Sequence, residues 1–363
     1  MKNIVFITAS ISFGGASKML CFVAESLASR GHNVSIVNLK STQNASDYER
    51  IVSDNVTVCT IPSTGTGAFK RFSHVKFIKN FAKSQNADVI IGFTTFPNLY
   101  AKIVGDMLRI PSIMSERGDP SRFASKTLKD RIVRFLINRS SGGVFQTQGA
   151  MDFYSARLKK RGIVIPNPIF IDEEVPNVDF ADREKTVVSV GRFDNFQKRY
   201  DIMLDAFKLF SQKHPEYVLK LYGIGNDEDI IRRWVAEKGI VEKVKFMGLT
   251  HQTMQDICRD GMFLITSDFE GISNSLLEAM AVGLPCISTD HTPGGARLLI
   301  KDHKNGLLAP MRDPEKLALA MCEFAENTGL AVSCGENAKG VVNTYDPPKI
   351  IDMWETYVSR IKR

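Results

Sequence analysis

The chain has 363 residues, 44% of them hydrophobic and 24% charged, with a formal net charge of +7 at pH 7. That length exceeds one ordinary core and fits two domains, and no apolar run approaches the ~20 residues that a membrane-crossing helix needs. Residues 1–170 hold 23 Lys and Arg against 10 Asp and Glu, whereas the remainder holds 24 against 30. A basic first half joined to a mildly acidic second half points to an anionic partner for the first, for which nucleic acid, a membrane surface and a phosphorylated acceptor all qualify.

Short apolar runs alternate with longer helical patterns from the start: a strand at 4–8, a helix at 18–30, a strand at 33–37, then strands at 89–92, 112–114 and 144–146. This alternation predicts a parallel sheet with crossover helices. A second series of strands runs through 186–190, 218–222, 244–247, 262–266 and 285–288. The expected fold class is therefore α/β, with two doubly wound domains. Between the two series, Ile165-Pro166-Asn167-Pro168 and an acidic stretch over 172–184 mark a linker, because proline holds the preceding residue extended. After Pro347-Pro348, the spacing of Trp354, Tyr357 and Ile361 predicts a terminal helix that pattern alone assigns to neither domain.

The opening Met1-Lys2-Asn3 and the apolar run behind it superficially resemble a signal peptide, but the run is short and leads straight into Gly14-Gly15, which reads better as a first buried strand. Cytoplasmic residence is the expectation. The six cysteines show no Cys-x-x-Cys spacing, so reduced structural thiols are expected, with neither a zinc site nor a disulfide framework.

Four segments could carry chemistry. Phe13-Gly14-Gly15-Ala16-Ser17 follows the first strand, where glycines let backbone amides approach a ligand and a helix N-terminus favours an anion; a plain tight turn is the alternative. Next, the strand at 186–190 delivers Gly191 and Arg192 to its C-terminal end, with Lys198 just before a helix. Open α/β sheets bind ligands there, and two cations suit a diphosphate whose charge rises as it leaves; a solvated surface cluster is the alternative. In Gly223-Ile224-Gly225-Asn226-Asp227-Glu228-Asp229 the acids read as first-turn complements of a helix dipole in preference to a metal-binding Asp-x-Asp.

The fourth segment is the most informative. A buried strand at 262–266 leads to Asp268-Phe269-Glu270-Gly271-Ile272-Ser273-Asn274-Ser275-Leu276-Leu277-Glu278. Ser273 or Asn274 is expected to cap a helix, the amides near Ser275 and Leu276 to accept phosphate, and the two carboxylates to accept hydrogen bonds from sugar hydroxyls. A loop charge and a dipole complement are the plainer reading of the same acids. A glycoside hydrolase would also use two carboxylates, but it has no need of Arg192 and Lys198.

Taken in order, Gly14-Gly15, Asn167-Pro168, Gly191-Arg192 with Lys198, Gly223 and Gly225, Phe246-Met247-Gly248, Glu270-x7-Glu278, the run from Ala279 to Pro285, and Asn305-Gly306 resemble the retaining nucleotide-sugar glycosyltransferases of family 4 over essentially the whole chain. The resemblance implies the GT-B architecture of two Rossmann-like domains facing a central cleft. An acceptor domain would occupy 1–168 and a nucleotide-sugar domain 169–344, with 345–363 crossing back to the first. It further implies that Arg192 and Lys198 hold the donor diphosphate and that Glu270 with Gly271, Ile272, Ser273 and Asn274 faces the transferred sugar. The Ser275 and Leu276 amides would cap the phosphate and Glu278 would bind the ribose, with Gly14, Gly15 and Gly191 on the donor side. No bound metal or cofactor is implied.

Where many members carry a histidine after an N-terminal-domain strand, this chain has Ser115-Glu116-Arg117-Gly118-Asp119-Pro120. That sequence resembles a subgroup associated with bacterial surface-polysaccharide assembly, such as lipopolysaccharide or capsule, and with UDP-hexoses. Glu116 and Arg117 become candidates for the acceptor side. The resemblance also implies front-face displacement, which needs no side-chain general base.

Finally, residues 69–83 interleave Phe69, Phe72, Phe77 and Phe81 with Lys70, Arg71, Lys76, Lys79 and Lys83. A surface helix with a buried aromatic face is the commoner explanation of such a pattern, and docking on anionic lipid the sharper one. Nucleic acid is not expected, since no binding motif accompanies the charge. The sequence reading is thus a retaining hexosyl- or N-acetylhexosaminyltransferase acting on a glycan or lipid-linked glycan. Its rivals are a nucleotide-sugar epimerase and a non-catalytic nucleotide-sugar-binding subunit.

Overall fold

The structure, a computed structural model, describes residues 1–11, 15–40, 52–62, 67–123, 127–171 and 174–362. It divides into two compact units, Met1–Asn167 with Pro348–Arg363, and Pro168–Pro347.

The first unit is built on seven parallel strands: β1 (Asn3–Thr8), β2 (Asn33–Asn38), β3 (Val56–Thr60), β4 (Val89–Phe93), β5 (Ser112–Glu116), β6 (Gly142–Phe145) and β7 (Gly162–Val164). Their order across the sheet is β3-β2-β1-β4-β5-β6-β7. Strands β4, β5 and β6 are buried along their whole length, as expected of parallel strands covered on both faces. Four of its helices matter below: α1 (Gly15–Ser29), α2 (Gly67–Ser84), α3 (Thr95–Leu108) and α4 (Leu128–Ile137). In α2, Ile78 and Ala82 are buried and Phe77 and Phe81 pack partly buried beside them, while Lys76 and Lys83 are exposed. The aromatic face expected of 69–83 is therefore turned inward at Phe77 and Phe81.

The terminal helix Pro347–Arg360 packs against this first sheet through Ile350, Ile351, Trp354 and Val358. The Tyr357 hydroxyl accepts the Gly143 N–H at 2.7 Å, and Arg30 pairs with Asp352 and Glu355, each at 2.6 Å. The expected return from residue 345 needs correction. Tyr345 stays in the second unit, where its carbonyl accepts the Ile169 N–H at 2.9 Å and its ring joins the apolar cluster around Leu276 and Met280.

The second unit has six parallel strands: β8 (Thr186–Val190), β9 (Val218–Tyr222), β10 (Val244–Gly248), β11 (Met262–Ile265), β12 (Cys286–Thr289) and β13 (Leu307–Ala309), in the order β10-β9-β8-β11-β12-β13. The order reverses between β8 and β11, so the loops leaving those two strands flank the crevice where open α/β sheets bind ligands. Strands β3, β7 and β13, which the sequence reading did not name, all lie at sheet edges and have three to five residues.

Candidate active site

Glycines shape the loop that leaves β8. A side chain at Gly223 would put its first carbon 1.9 Å from the Gly191 carbonyl oxygen, and Gly223 sits at φ 150°, where L side chains are strained. The β8 and β9 loops can therefore lie one on the other. Backbone bonds stitch them: Gly191 N–H to the Tyr222 carbonyl at 2.9 Å and Phe193 N–H to the Ile224 carbonyl at 3.0 Å. Asp227 Oδ2 accepts the Asn195 N–H at 2.7 Å, a structural use for an acid that could have been read as a metal ligand.

This platform carries a short helix, Asn195–Lys198, that ends at Arg199 in the left-handed region (φ 54°) before the helix Tyr200–Lys213 begins. The turn brings the Lys198 side chain back over Gly191, its Nζ 3.3 Å from where a Cβ would stand. Lys198 Nζ pairs with Glu270 Oε1, which also accepts the Ser267 hydroxyl at 2.6 Å. Burial alone would push the Glu270 carboxyl up; the Lys198 ammonium, the neighbouring His291 and the two hydrogen bonds overcome it and hold the group below its ordinary value. Glu270 is thus a buried carboxylate, not a loop charge. Its backbone N–H donates to the Thr292 carbonyl at 2.9 Å, which ties the β11 and β12 loops together.

Arg192, by contrast, is two-thirds exposed, with Nη2 at 3.3 Å from Asp194 Oδ2 and 3.4 Å from Gln197 Oε1. Exposed pairs of this kind are worth at most ~1 kcal/mol, so an incoming anion can recruit the guanidinium. Past Glu270, Gly271 and Ile272 are buried, and Ser273 caps the helix Asn274–Ala281 by accepting the Leu276 N–H at 3.4 Å. Of the two amides expected to meet phosphate, that of Leu276 is already engaged by its cap. Glu278 lies one turn inside this helix and is half-buried.

The structure therefore brings Gly191, Lys198 and Glu270 into contact and leaves Arg192 on separate partners. In the first unit, Gly15 opens α1, and Gly14 lies outside the described residues. Glu116 and Arg117 are both buried at the end of β5. Glu116 accepts the Tyr154 hydroxyl at 2.7 Å and the N–H groups of Arg117 and Gly118 at 3.0 and 3.2 Å; burial nevertheless pushes its carboxyl up. The Arg117 guanidinium turns away to Ser115 Oγ at 3.0 Å and lies over the rings of Phe93 and Trp354 at 4.9 and 5.3 Å, and burial pulls its pKa down to about 9.

Two family models match. The one described as "Glycosyl transferases group 1" covers residues 170–341, and "Glycosyl transferase 4-like" covers 12–146. The chain belongs to these glycosyltransferases. Among curated relatives, an uncharacterized glycosyltransferase of Haemophilus influenzae is 24% identical over 98% of this chain and 99% of its own length. A Campylobacter jejuni enzyme named GalNAc-alpha-(1->4)-GalNAc-alpha-(1->3)-diNAcBac-PP-undecaprenol alpha-1,4-N-acetyl-D-galactosaminyltransferase is also 24% identical, over 100% of this chain and 99% of its own. Of solved structures, Anabaena HepE in complex with UDP and glucose superposes with a TM-score of 0.83 at 19% identity, covering 99% and 100% of the two chains. The lipopolysaccharide outer core galactosyltransferase WaaB, in its apo form, gives 0.78 at 20%, covering 98% and 99%. At such identities the structural likeness speaks to the fold, which is GT-B.

Sequence reasoning missed two features of this glycosyltransferase. His291 is 1% exposed, packs with Cε1 3.3 Å from the Cβ position of Gly295, and has no hydrogen-bond partner for Nε2. Burial pulls its imidazole below the ordinary value against the Glu270 charge. Its place directly behind the β12 strand end was the available signal. The second is Asp268, which takes Arg199 Nη1 at 3.1 Å and Arg312 Nη2 at 2.8 Å and so braces the loop that carries Glu270.

Proposed function

We propose that the enzyme is a retaining glycosyltransferase that moves a hexose or N-acetylhexosamine from a UDP-sugar to a glycan or lipid-linked glycan in surface-polysaccharide biosynthesis. The observation that carries this reading is the buried Lys198–Glu270 pair against Gly191 at the point where the strand order reverses. In it, Lys198 and a reoriented Arg192 hold the donor diphosphate, Glu270 and the Gly271 to Asn274 loop face the sugar, and the amides around Ser275 and Leu276 approach a phosphate. Glu278 binds the ribose, and Gly14, Gly15 and Gly191 border the donor. HepE, with UDP and glucose bound, supports the donor class, and the Campylobacter relative supports the acceptor class.

The acceptor hydroxyl oxygen bonds to the anomeric carbon on the face from which the diphosphate departs, and its proton passes to a leaving diphosphate oxygen. Lys198 and Arg192 stabilise the charge growing on that diphosphate, a role for fixed cations that needs no metal. Glu116 and Arg117 serve the acceptor side in this reading, and the work is done at the cytoplasmic face of a membrane. A thermal-shift screen of nucleotide-sugars tests the proposal, because a bound donor raises stability with its occupancy. UDP and a UDP-sugar should raise Tm in the wild type and much less in Lys198→Ala; equal shifts in both proteins would refute it. Converting a donor with no acceptor present would instead identify an epimerase.

A further inference from the structure

Helix α4 has the residues of an interfacial helix and shows them to solvent. It is nucleated by a capping box in which Thr127 accepts the Asp130 N–H at 3.1 Å and Asp130 accepts the Thr127 N–H at 3.1 Å, so its one acid is consumed at the N-terminus. Along the next three turns Leu128, Ile132 and Phe135 are 71%, 51% and 56% exposed. At 100° per residue these three fall within one narrow stripe. Arg131 and Lys129, both exposed, flank it on opposite sides, and exposed Arg139 lies over the Phe135 ring at 3.6 Å. Phe96, 52% exposed at the start of α3, extends the patch and lies 5.9 Å from Lys129 Nζ.

Surface helices of globular proteins normally turn such a stripe inward; here the inward side is supplied separately, by buried Ile137 and half-buried Val133. Four large apolar side chains therefore remain in water, bordered by Lys129, Arg131 and Arg139. Apolar side chains that enter the headgroup boundary, with cations at their rim, complement an anionic bilayer surface. The occupant these features match is a lipid surface, because the exposed side chains form an apolar stripe rimmed by cations, the pattern of a helix that lies in a headgroup boundary.

We infer that α4, with Phe96, is the surface by which this enzyme docks on an anionic membrane. The inference rests on the reading of a lipid-linked acceptor only for its purpose, since docking is measured without turnover. It also moves the main contact from the 69–83 segment, where Phe77 and Phe81 are turned inward and Phe72 alone of the described phenylalanines is exposed, to a helix with three exposed apolar side chains in one stripe.

The test is sedimentation of the full chain with vesicles of phosphatidylcholine alone and with about one-third phosphatidylglycerol. Wild-type protein should bind the anionic vesicles and release with salt. Ile132→Ser/Phe135→Ser should bind at least about tenfold more weakly, Arg131→Gln/Arg139→Gln roughly fivefold or more, and Lys76→Gln/Lys79→Gln/Lys83→Gln less than either. Retained Tm and a retained shift with UDP certify that each variant is folded and that its donor site is intact. Binding unchanged in the folded Ile132/Phe135 variant, or no wild-type binding to anionic vesicles, overturns the inference. So does a wild-type dimer in size-exclusion chromatography that this variant dissolves, because the face would then cover a second copy. Loss of the UDP shift with docking intact would count against the donor reading and leave the inference standing.

Discussion

Glu270 in the second unit and Glu116 in the first both lie buried near the C-terminal end of a parallel strand, each with a basic residue close in the motif that singled it out. Around Glu270 the fold closes a loop so that Lys198, 72 residues earlier, meets the carboxylate. Around Glu116 the adjacent Arg117 makes contact through its backbone N–H, while its guanidinium, acting on the carboxyl only through space, stacks on Phe93 and Trp354. The first carboxyl is held below its ordinary value and the second is pushed above it. A buried charge is stabilised by the group that touches it, and sequence adjacency does not ensure that touch.

The largest expected effect comes from removing the cation that does touch. Lys198→Ala should lower transfer roughly 100- to 1,000-fold, as measured by kcat with a UDP-sugar. Lys198→Met should also cost ~3–5 kcal/mol in urea unfolding, because it strands the Glu270 carboxylate. Arg117→Met, which removes a guanidinium with no carboxylate on it, should cost at most about 2 kcal/mol, the scale of its hydrogen bonds. If the two methionine variants were equally destabilised, the contrast between the units would be lost.

Glu270→Ala and Glu278→Ala sharpen the same site from its two ends. The first should depress turnover or blur sugar selectivity, while the second should chiefly weaken UDP affinity measured by calorimetry. Matching losses of UDP affinity would contradict the division of roles.

Acidity separates the two glutamates directly. Because the folded Glu270 pKa lies below 4.5, its contribution to stability is complete above about that pH and is lost as pH falls through the depressed value. Glu116 runs the other way: with its folded pKa above 4.5, its favourable contribution belongs to the protonated form and is lost as pH climbs through the raised value. In urea unfolding at pH 4, 5 and 7.5, Glu270→Gln should flatten the acid loss, and Glu116→Gln should gain on the wild type as pH rises. The smallest effect is expected at Ser273→Ala, which removes a 3.4 Å cap and should cost about 0.5–1 kcal/mol of thermal stability.

Much of this molecule could be read without coordinates. Central strands such as β4 and β11 are buried on both faces and so appear as unbroken apolar runs, which is why 89–92 and 262–266 were legible. The edge strands β3, β7 and β13 were not, since short segments are recruited by a neighbour's free hydrogen-bonding edge more than by their own pattern. Within the site, the local turns signalled Gly191, Arg192, Lys198 and Glu270 because glycine and strand-end position are local properties. His291 and the Asp268–Arg199–Arg312 brace were silent, since each depends on which loops lie side by side.

The sequence by itself determined the two α/β units, the order of the motifs along them and the family to which they belong, because periodicity and turn chemistry act over a few residues. Only the tertiary structure decided which charges meet: Lys198 on Glu270, Arg117 on two aromatic rings, Asp227 on the Asn195 amide. It also decided that the apolar stripe of α4 faces solvent while Phe77 and Phe81 of α2 turn inward. Partnership and exposure are properties of packing, and packing brings together residues that the chain keeps far apart.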